Sequence, residues 1–251
     1  MTNSEGSIPD SPAAAAKAAP RLVLASASPR RRSLLEEAGY QFIVHPAEID
    51  EEAAAASSGG TSSGGTHLGG TSSGGTHLGG THPGGTHPGA ARQASPIELA
   101  QRLARAKARA VAAEYPDDVV LAADTVVALG DQTMGKPTDA EQARAMLTLL
   151  EGTTHIVITA VAVLGKNAGI SLLAHVMSAV RMAPLTPGEI DRYVATNQWQ
   201  GKAGAYGIQD DDPFVERLRG CHTNIVGLPM KTTKRLLESA GIFPDKPKTT
   251  P

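Results

Sequence analysis

One carboxylate stands where only a use would keep it. Asp124 is the single charged residue in Val119-Val-Leu-Ala-Ala-Asp-Thr-Val-Val-Ala-Leu129, a run otherwise apolar apart from Thr125. Burying an unpaired carboxylate costs several kcal/mol, or forces the group to keep its proton. Retained there, it binds a metal, acts as a base, or accepts from a neighbouring helix start. In a regular strand Thr125 points to the opposite face. A second concentration of chemistry lies between Leu22 and Leu34, where small hydroxyl residues lead through Ser28 and Pro29 into Arg30, Arg31 and Arg32. Ser28 is a good helix N-cap and Pro29 a good first helical residue. Cations in a first turn oppose the helix dipole, so they point either to a bound anion such as phosphate or to a solvated basic helix start.

Three further clusters offer ligands. Gly135-Lys136-Pro137 holds a lysine between a flexible and a rigid residue, which suits a phosphate contact or a plain turn. Lys202 and Gln209 flank Ala203-Gly-Ala-Tyr-Gly207, where backbone can approach a ligand closely. Gln209 can donate and accept at once, as reading a base edge requires. Glu48, Asp50, Glu51 and Glu52 present hard oxygens suited to Mg²⁺ or Mn²⁺, or form a solvated acidic loop. None of these pieces makes a Walker loop, a dinucleotide fingerprint or a serine nucleophile elbow. Carboxylates among dispersed cations fit metal-assisted attack of water on a phosphoanhydride.

The elements that must position these groups follow from the pattern. An apolar run from Leu22 predicts a strand, and the helix starting at Pro29 runs to Gly39. Gln41 to His45 predicts a second strand. Ser95-Pro96 opens a helix to about Glu114, with Leu99, Leu103, Ala106 and Ala110 as its apolar stripe and Arg102, Arg105, Lys107 and Arg109 as its charges. Val119 to Leu129 is apolar on both faces, as in a central, covered strand. A helix from about Asp139 to Leu150, a hairpin of His155–Leu164 and Ile170–Met182, a helix from Pro187 to Thr196 and a closing helix from Leu228 to Ala240 complete the order. Strands alternating with helices, plus a hairpin, predict an α/β fold with a mixed sheet.

Composition sets limits on class. The 251 residues include 41% hydrophobic but only 3% aromatic side chains, and the formal charge is −2. That balance argues against a nucleic-acid binder, which needs a basic face. No apolar run is long enough to span a membrane, and Cys221 alone can form no internal disulfide. A soluble, cytoplasmic protein is the expectation. Residues 1–19, without a secretory pattern, predict a disordered leader, and 244–251 a flexible tail. Residues 57–89 repeat Gly, Thr, Ser, His and Pro, including Thr-Ser-Ser-Gly-Gly-Thr-His-Leu-Gly-Gly at 61–70 and 71–80. They predict a flexible loop. Its His67, His77, His82 and His87 could ligate metal, but only against the entropy of ordering a glycine chain.

Leu24-Ala-Ser-Ala-Ser-Pro-Arg-Arg31, Ala122-Ala-Asp-Thr-Val-Val127, Gly135-Lys-Pro137, Gly201-Lys-Ala-Gly-Ala-Tyr-Gly-Ile-Gln209 and Asn224-Ile-Val-Gly-Leu-Pro229 occur in this order. The sequence thereby resembles the Maf proteins, a family of nucleoside triphosphate pyrophosphatases, over residues 20–243 outside the repeat. The resemblance implies two lobes of a twisted mixed sheet with flanking helices around a cleft, similar to inosine triphosphatases and often dimeric. It implies hydrolysis of a nucleoside triphosphate to monophosphate and pyrophosphate with a divalent cation, Mg²⁺ or Mn²⁺. Asp124 then corresponds to the general base, sharing the metal with an acid of the 48–51 cluster, Glu48 or Asp50. Ser26 and Arg30 hold phosphate, leaving Arg31 and Arg32 structural or solvated, while Lys107 and Lys136 add charge. Arg30, Thr125 and Gln209 match the branch acting on dTTP and UTP. The older reading of the family, as regulators of septum formation that bind nucleotide without turnover, is the alternative. Two departures stand out: the insertion at 57–89, and Asp210-Asp-Asp212 where the family commonly has glycine.

Overall fold

The computed structural model describes residues 19–56, 94–210 and 214–245. The repeat with its four histidines, Asp211 and Asp212, nearly all of the leader and most of the tail lie outside the described residues. Within them the α/β expectation holds. The chain runs β1 (Leu22–Leu24), α1 (Pro29–Glu37), β2 (Phe42–Val44), α2 (Glu51–Ala56), α3 (Pro96–Glu114), β3 (Val119–Leu129), β4 (Gln132–Met134) and α4 (Ala140–Leu150). It continues through β5 (Thr154–Gly165), β6 (Ile170–Met182), α5 (Pro187–Ala195), a 3-10 turn at Ala203–Ala205, β7 (Val215–Arg219), α6 (His222–Val226) and α7 (Met230–Ser239).

The seven strands form one mixed sheet in the order β2-β1-β3-β5-β6-β7, with β4 attached to β3. β1 pairs in parallel with β2 and β3; every other pairing is antiparallel. The pleat of β3 divides two layers. Its Val119, Leu121 and Ala123 pack with Leu22, Leu24, Leu35, Leu228 and Leu237 beneath α1 and α7. Its Val120, Ala122, Val126 and Ala128 pack with Val23, Ala104, Ala108 and Val111 beneath α3. A further core forms at the far end of the long strands, where Val127 meets Leu147, Leu150, Ile190, Trp199 and Tyr206 under α4 and α5. β3, β5 and β6 run past all three cores. No helix among the described residues is long and apolar enough to cross a membrane.

Local chemistry explains the helix starts. Ser95 and Glu98 close a capping box on α3, Thr186 and Glu189 another on α5, and Asp139 caps α4. Ser28 departs from expectation: it occupies the N-cap position of α1, but its side chain makes no capping bond. The stripe of α3 is also turned from the predicted one. Ala100, Ala104, Ala108, Val111 and Lys107 are buried, while Leu99, Ala106 and Ala110 are half-buried. Alanines let the helix backbone lie close on the sheet, and that rotation carries Lys107 inward.

The sheet is interrupted at one place. β1 pairs with β3 only as far as Leu24 beside Leu121, and β4 joins the same edge only from Val127. Among the described residues no strand covers Ala122–Val126 there. Asp124 sits in the middle of that gap, at the carboxyl end of parallel β1, where open α/β sheets place their ligands.

Candidate functional site

Two faces of β3 meet at the gap. On the α3 face, Lys107 Nζ lies 2.5 Å from Asp124 Oδ1 and 2.7 Å from Glu51 Oε1. The Lys107 and Asp124 side chains are 9% and 7% exposed, whereas that of Glu51 is 52% exposed. One ammonium is thus clasped by a buried and a solvent-reaching carboxylate. Asp124 Oδ2 has no protein partner among the described residues. Burial pushes the Asp124 carboxyl above the usual range, against the pull of Lys107 and Arg31. Burial also works against the charge of Glu51, but its bond to Lys107 and the charges of Lys107, Lys136 and Arg31 carry its pKa below normal.

Of the acids expected at the metal, only Asp124 is buried beside Lys107. Glu48 and Asp50 are exposed, and Asp50 accepts from the Ala53 amide at 2.9 Å at the start of α2. Asp50 caps α2, and the next residue, Glu51, is the acid of this cluster that shares Lys107 with Asp124. Among the described residues no three His, Cys, Asp or Glu side chains surround one point. Lys107 takes one oxygen of each carboxylate, so Mg²⁺ or Mn²⁺, which keeps waters and takes substrate phosphate oxygens beside one or two carboxylates, would use the oxygens of Asp124 and Glu51 not given to Lys107. The donor set fits such an ion.

On the other face the inner arginine is Arg31, not Arg30. Arg31 is buried, donating to Ser26 Oγ at 3.1 Å, Thr125 Oγ1 at 3.1 Å and the Gly227 carbonyl at 2.8 Å. The cause is helical spacing: Arg31 precedes the fully buried Leu35 by four residues and shares its inward stripe. Arg30, one step round, is half-buried and donates to the carbonyls of Gly201 at 2.9 Å and Val226 at 3.4 Å. Arg32 is exposed and pairs with Glu36, as the solvated reading expected. Burial lowers the pKa of both Arg30 and Arg31, with Asp210 offsetting it at the first and Asp124 at the second.

Lys136 reaches the same place from the loop after β4. It is exposed, yet the protein packed about its ammonium and the charges of Lys107 and Arg31 lower its pKa. Its turn is tied to the glycine-rich loop by Gly204 N–H to Gly135 O, 3.0 Å. Gly204 has φ +71°, and a Cβ there would meet Val127 Cγ2 at 2.9 Å. Gln209 is exposed and folds its amide over Gly207, where a Cβ would stand 2.6 Å from Nε2. Asp210 accepts from Lys202 Nζ, from the Tyr193 hydroxyl at 2.7 Å and from the Gly207 amide at 3.0 Å. Its charge is met inside the loop. The structure therefore brings Ser26, Lys107, Asp124, Thr125 and Lys136 together, with Arg31 and Glu51 added; Arg30 and Gln209 stand at the rim.

Such a gap, with a shielded carboxylate and cations on three sides, marks an α/β protein fitted to a polyanionic ligand. The chain belongs to the Maf-like protein family, which matches residues 21–67 and 79–240. It is 43% identical over 230 residues to a dTTP/UTP pyrophosphatase of Anaeromyxobacter dehalogenans, covering 90% of this chain and 96% of the relative. A dTTP/UTP pyrophosphatase of Myxococcus xanthus is 40% identical over 88% of this chain and 93% of the relative. One of Symbiobacterium thermophilum is 36% identical over 88% and 94%.

Proposed function

We propose that this chain hydrolyses dTTP and UTP to the monophosphate and pyrophosphate, with Asp124 as the base. The observation that carries the reading is the Asp124 carboxylate: buried in the sheet gap, held by Lys107 through one oxygen, and unpartnered at the other. A water against Oδ2 gives its proton to Asp124 and attacks the α-phosphorus. The α–β bridging bond breaks and pyrophosphate departs. Arg31, donating through a fork already anchored by Ser26, Thr125 and Gly227, neutralises phosphate charge together with Lys136. Lys107 holds Asp124 in place and keeps its charged form accessible despite burial. Glu51 and Asp124 would hold a divalent cation, which supplies polarisation of a phosphoryl oxygen when bound. Gln209, at the rim, is the group suited to the pyrimidine edge. The relatives' shared name supports the choice of dTTP and UTP.

The test is a panel of nucleoside triphosphates with Mg²⁺ or Mn²⁺, read by pyrophosphate formation. Release from dTTP and UTP ahead of ATP and GTP is expected. Orthophosphate as the only inorganic product would contradict attack at the α–β linkage.

A further inference from the structure

In the function proposed above Arg31 grips phosphate, and behind it runs a line of hydrogen bonds whose directions can be assigned. A guanidinium only donates, so Thr125 Oγ1 accepts from Arg31 Nη2. Thr159 gives its one hydroxyl proton to the Asn224 carbonyl at 3.0 Å. The two threonine oxygens lie 2.9 Å apart, directly opposite each other on β3 and β5. With the Thr159 proton committed, Thr125 must be the donor between them. Asn224 is wholly buried and donates onward, to the Val157 carbonyl at 3.1 Å and to Ser178 Oγ at 2.9 Å. Ser178 in turn donates to the Cys221 carbonyl at 3.1 Å. From Arg31 across β3 and β5, through α6 and on to Ser178 of β6, the side-chain protons point away from the site, and the Cys221 amide closes the line by donating back to Ser178 Oγ at 3.0 Å.

We propose that Thr159, backed by Asn224, is a positioning residue: it fixes the Thr125 hydroxyl and through it the Arg31 guanidinium, so that phosphate meets a preset fork. This rests on Arg31 contacting phosphate, as in the function proposed above. Thr159 is itself fully buried, out of reach of a ligand in the gap. Its action is indirect, because a Thr125 hydroxyl committed to Thr159 must keep its lone pairs turned to Arg31. Without Thr159 that hydroxyl is free to turn its proton toward Arg31, which weakens its acceptance from the guanidinium and leaves Ser26 and Gly227 as the fixed partners.

The variants Thr159→Val, which keeps the shape, and Thr159→Ser, which keeps the hydroxyl, separate positioning from packing. The full chain is assayed with dTTP for KM and kcat, and inorganic pyrophosphate binding is measured by calorimetry. Thr159→Val raises both KM and the pyrophosphate Kd roughly five- to tenfold, the weight of one ordinary hydrogen bond. Its kcat changes less than KM, and Thr159→Ser restores both constants. A folded Thr159→Val with wild-type KM and pyrophosphate Kd overturns the proposal, as does a Ser variant no better than Val. Should Thr159→Val fail to fold, Thr125→Val/Thr159→Val removes both hydroxyls and leaves no broken pair; wild-type pyrophosphate affinity there overturns it equally. A wild-type chain that binds pyrophosphate but cleaves no triphosphate defeats the proposed function instead, and the pyrophosphate constants still decide the relay.

Discussion

At the scale of single residues, the site depends on which side chains turn inward. Arg30 and Arg31 are neighbours of the same type, yet one donates to backbone carbonyls at the rim and the other to two hydroxyls and a carbonyl in the core. Replacing a buried bidentate arginine by lysine is not conservative. Arg31→Lys is expected to raise KM for dTTP about 10- to 100-fold, as hydrogen bonds to a charged group are lost. Arg30→Lys should cost roughly two- to fivefold, in line with a partly exposed contact. Steady-state kinetics of the two variants side by side check this; equal effects would place the grip elsewhere. The inward arginine was readable from its four-residue spacing to Leu35, but three consecutive arginines hide that spacing when the motif is read as a unit. Lys107 was similarly visible in its spacing from Leu103 and Val111, and was obscured by Leu99, which proved to be only half-buried.

At the scale of elements, β3 was the most legible part of the chain and the most informative. Its length, its apolar faces and its one carboxylate were all in the sequence. The gap beside Asp124 was not, because it depends on where β1 ends and where β4 begins, and both strands have only three residues. β4, β7 and α6 are too short to show a period, and went unread. The facing of Thr125 and Thr159 arises from strand register between residues thirty-four apart, which no local pattern reports. β5 also carries His155, 1% exposed, whose Nε2 lies 2.6 Å from the Tyr206 hydroxyl. Burial holds its pKa at about 4, below the 6.5 of a free histidine. The unfolded chain therefore takes up a proton that the folded chain refuses, and stability falls as pH drops from about 6.5 to about 4. The loss approaches about 3 kcal/mol in full. His155→Gln removes this slope; denaturant unfolding at a series of pH values checks it, and an unchanged slope would assign the acid sensitivity to the carboxylates.

At the scale of the whole molecule, β3 and β5 contribute to all three cores, and the gap is framed by α1, α3 and the loop carrying Lys136. The repeat at 57–89 follows α2, whose Glu51 reaches Lys107. Since Glu51 is the first residue of α2 and the repeat begins after its end, deleting 57–89 is expected to leave turnover of dTTP within a few-fold. Loss of activity on deletion would show that the repeat helps set Glu51. The central claim is that Asp124 activates water for attack at the α-phosphorus. The most direct measurement is a single turnover of dTTP in heavy-oxygen water by the wild-type chain and by Asp124→Asn. The label is expected in the monophosphate and not in pyrophosphate, with the variant slower by about 10²- to 10⁴-fold, the weight of a positioned base. Label in pyrophosphate, or a variant as fast as wild type, would contradict it.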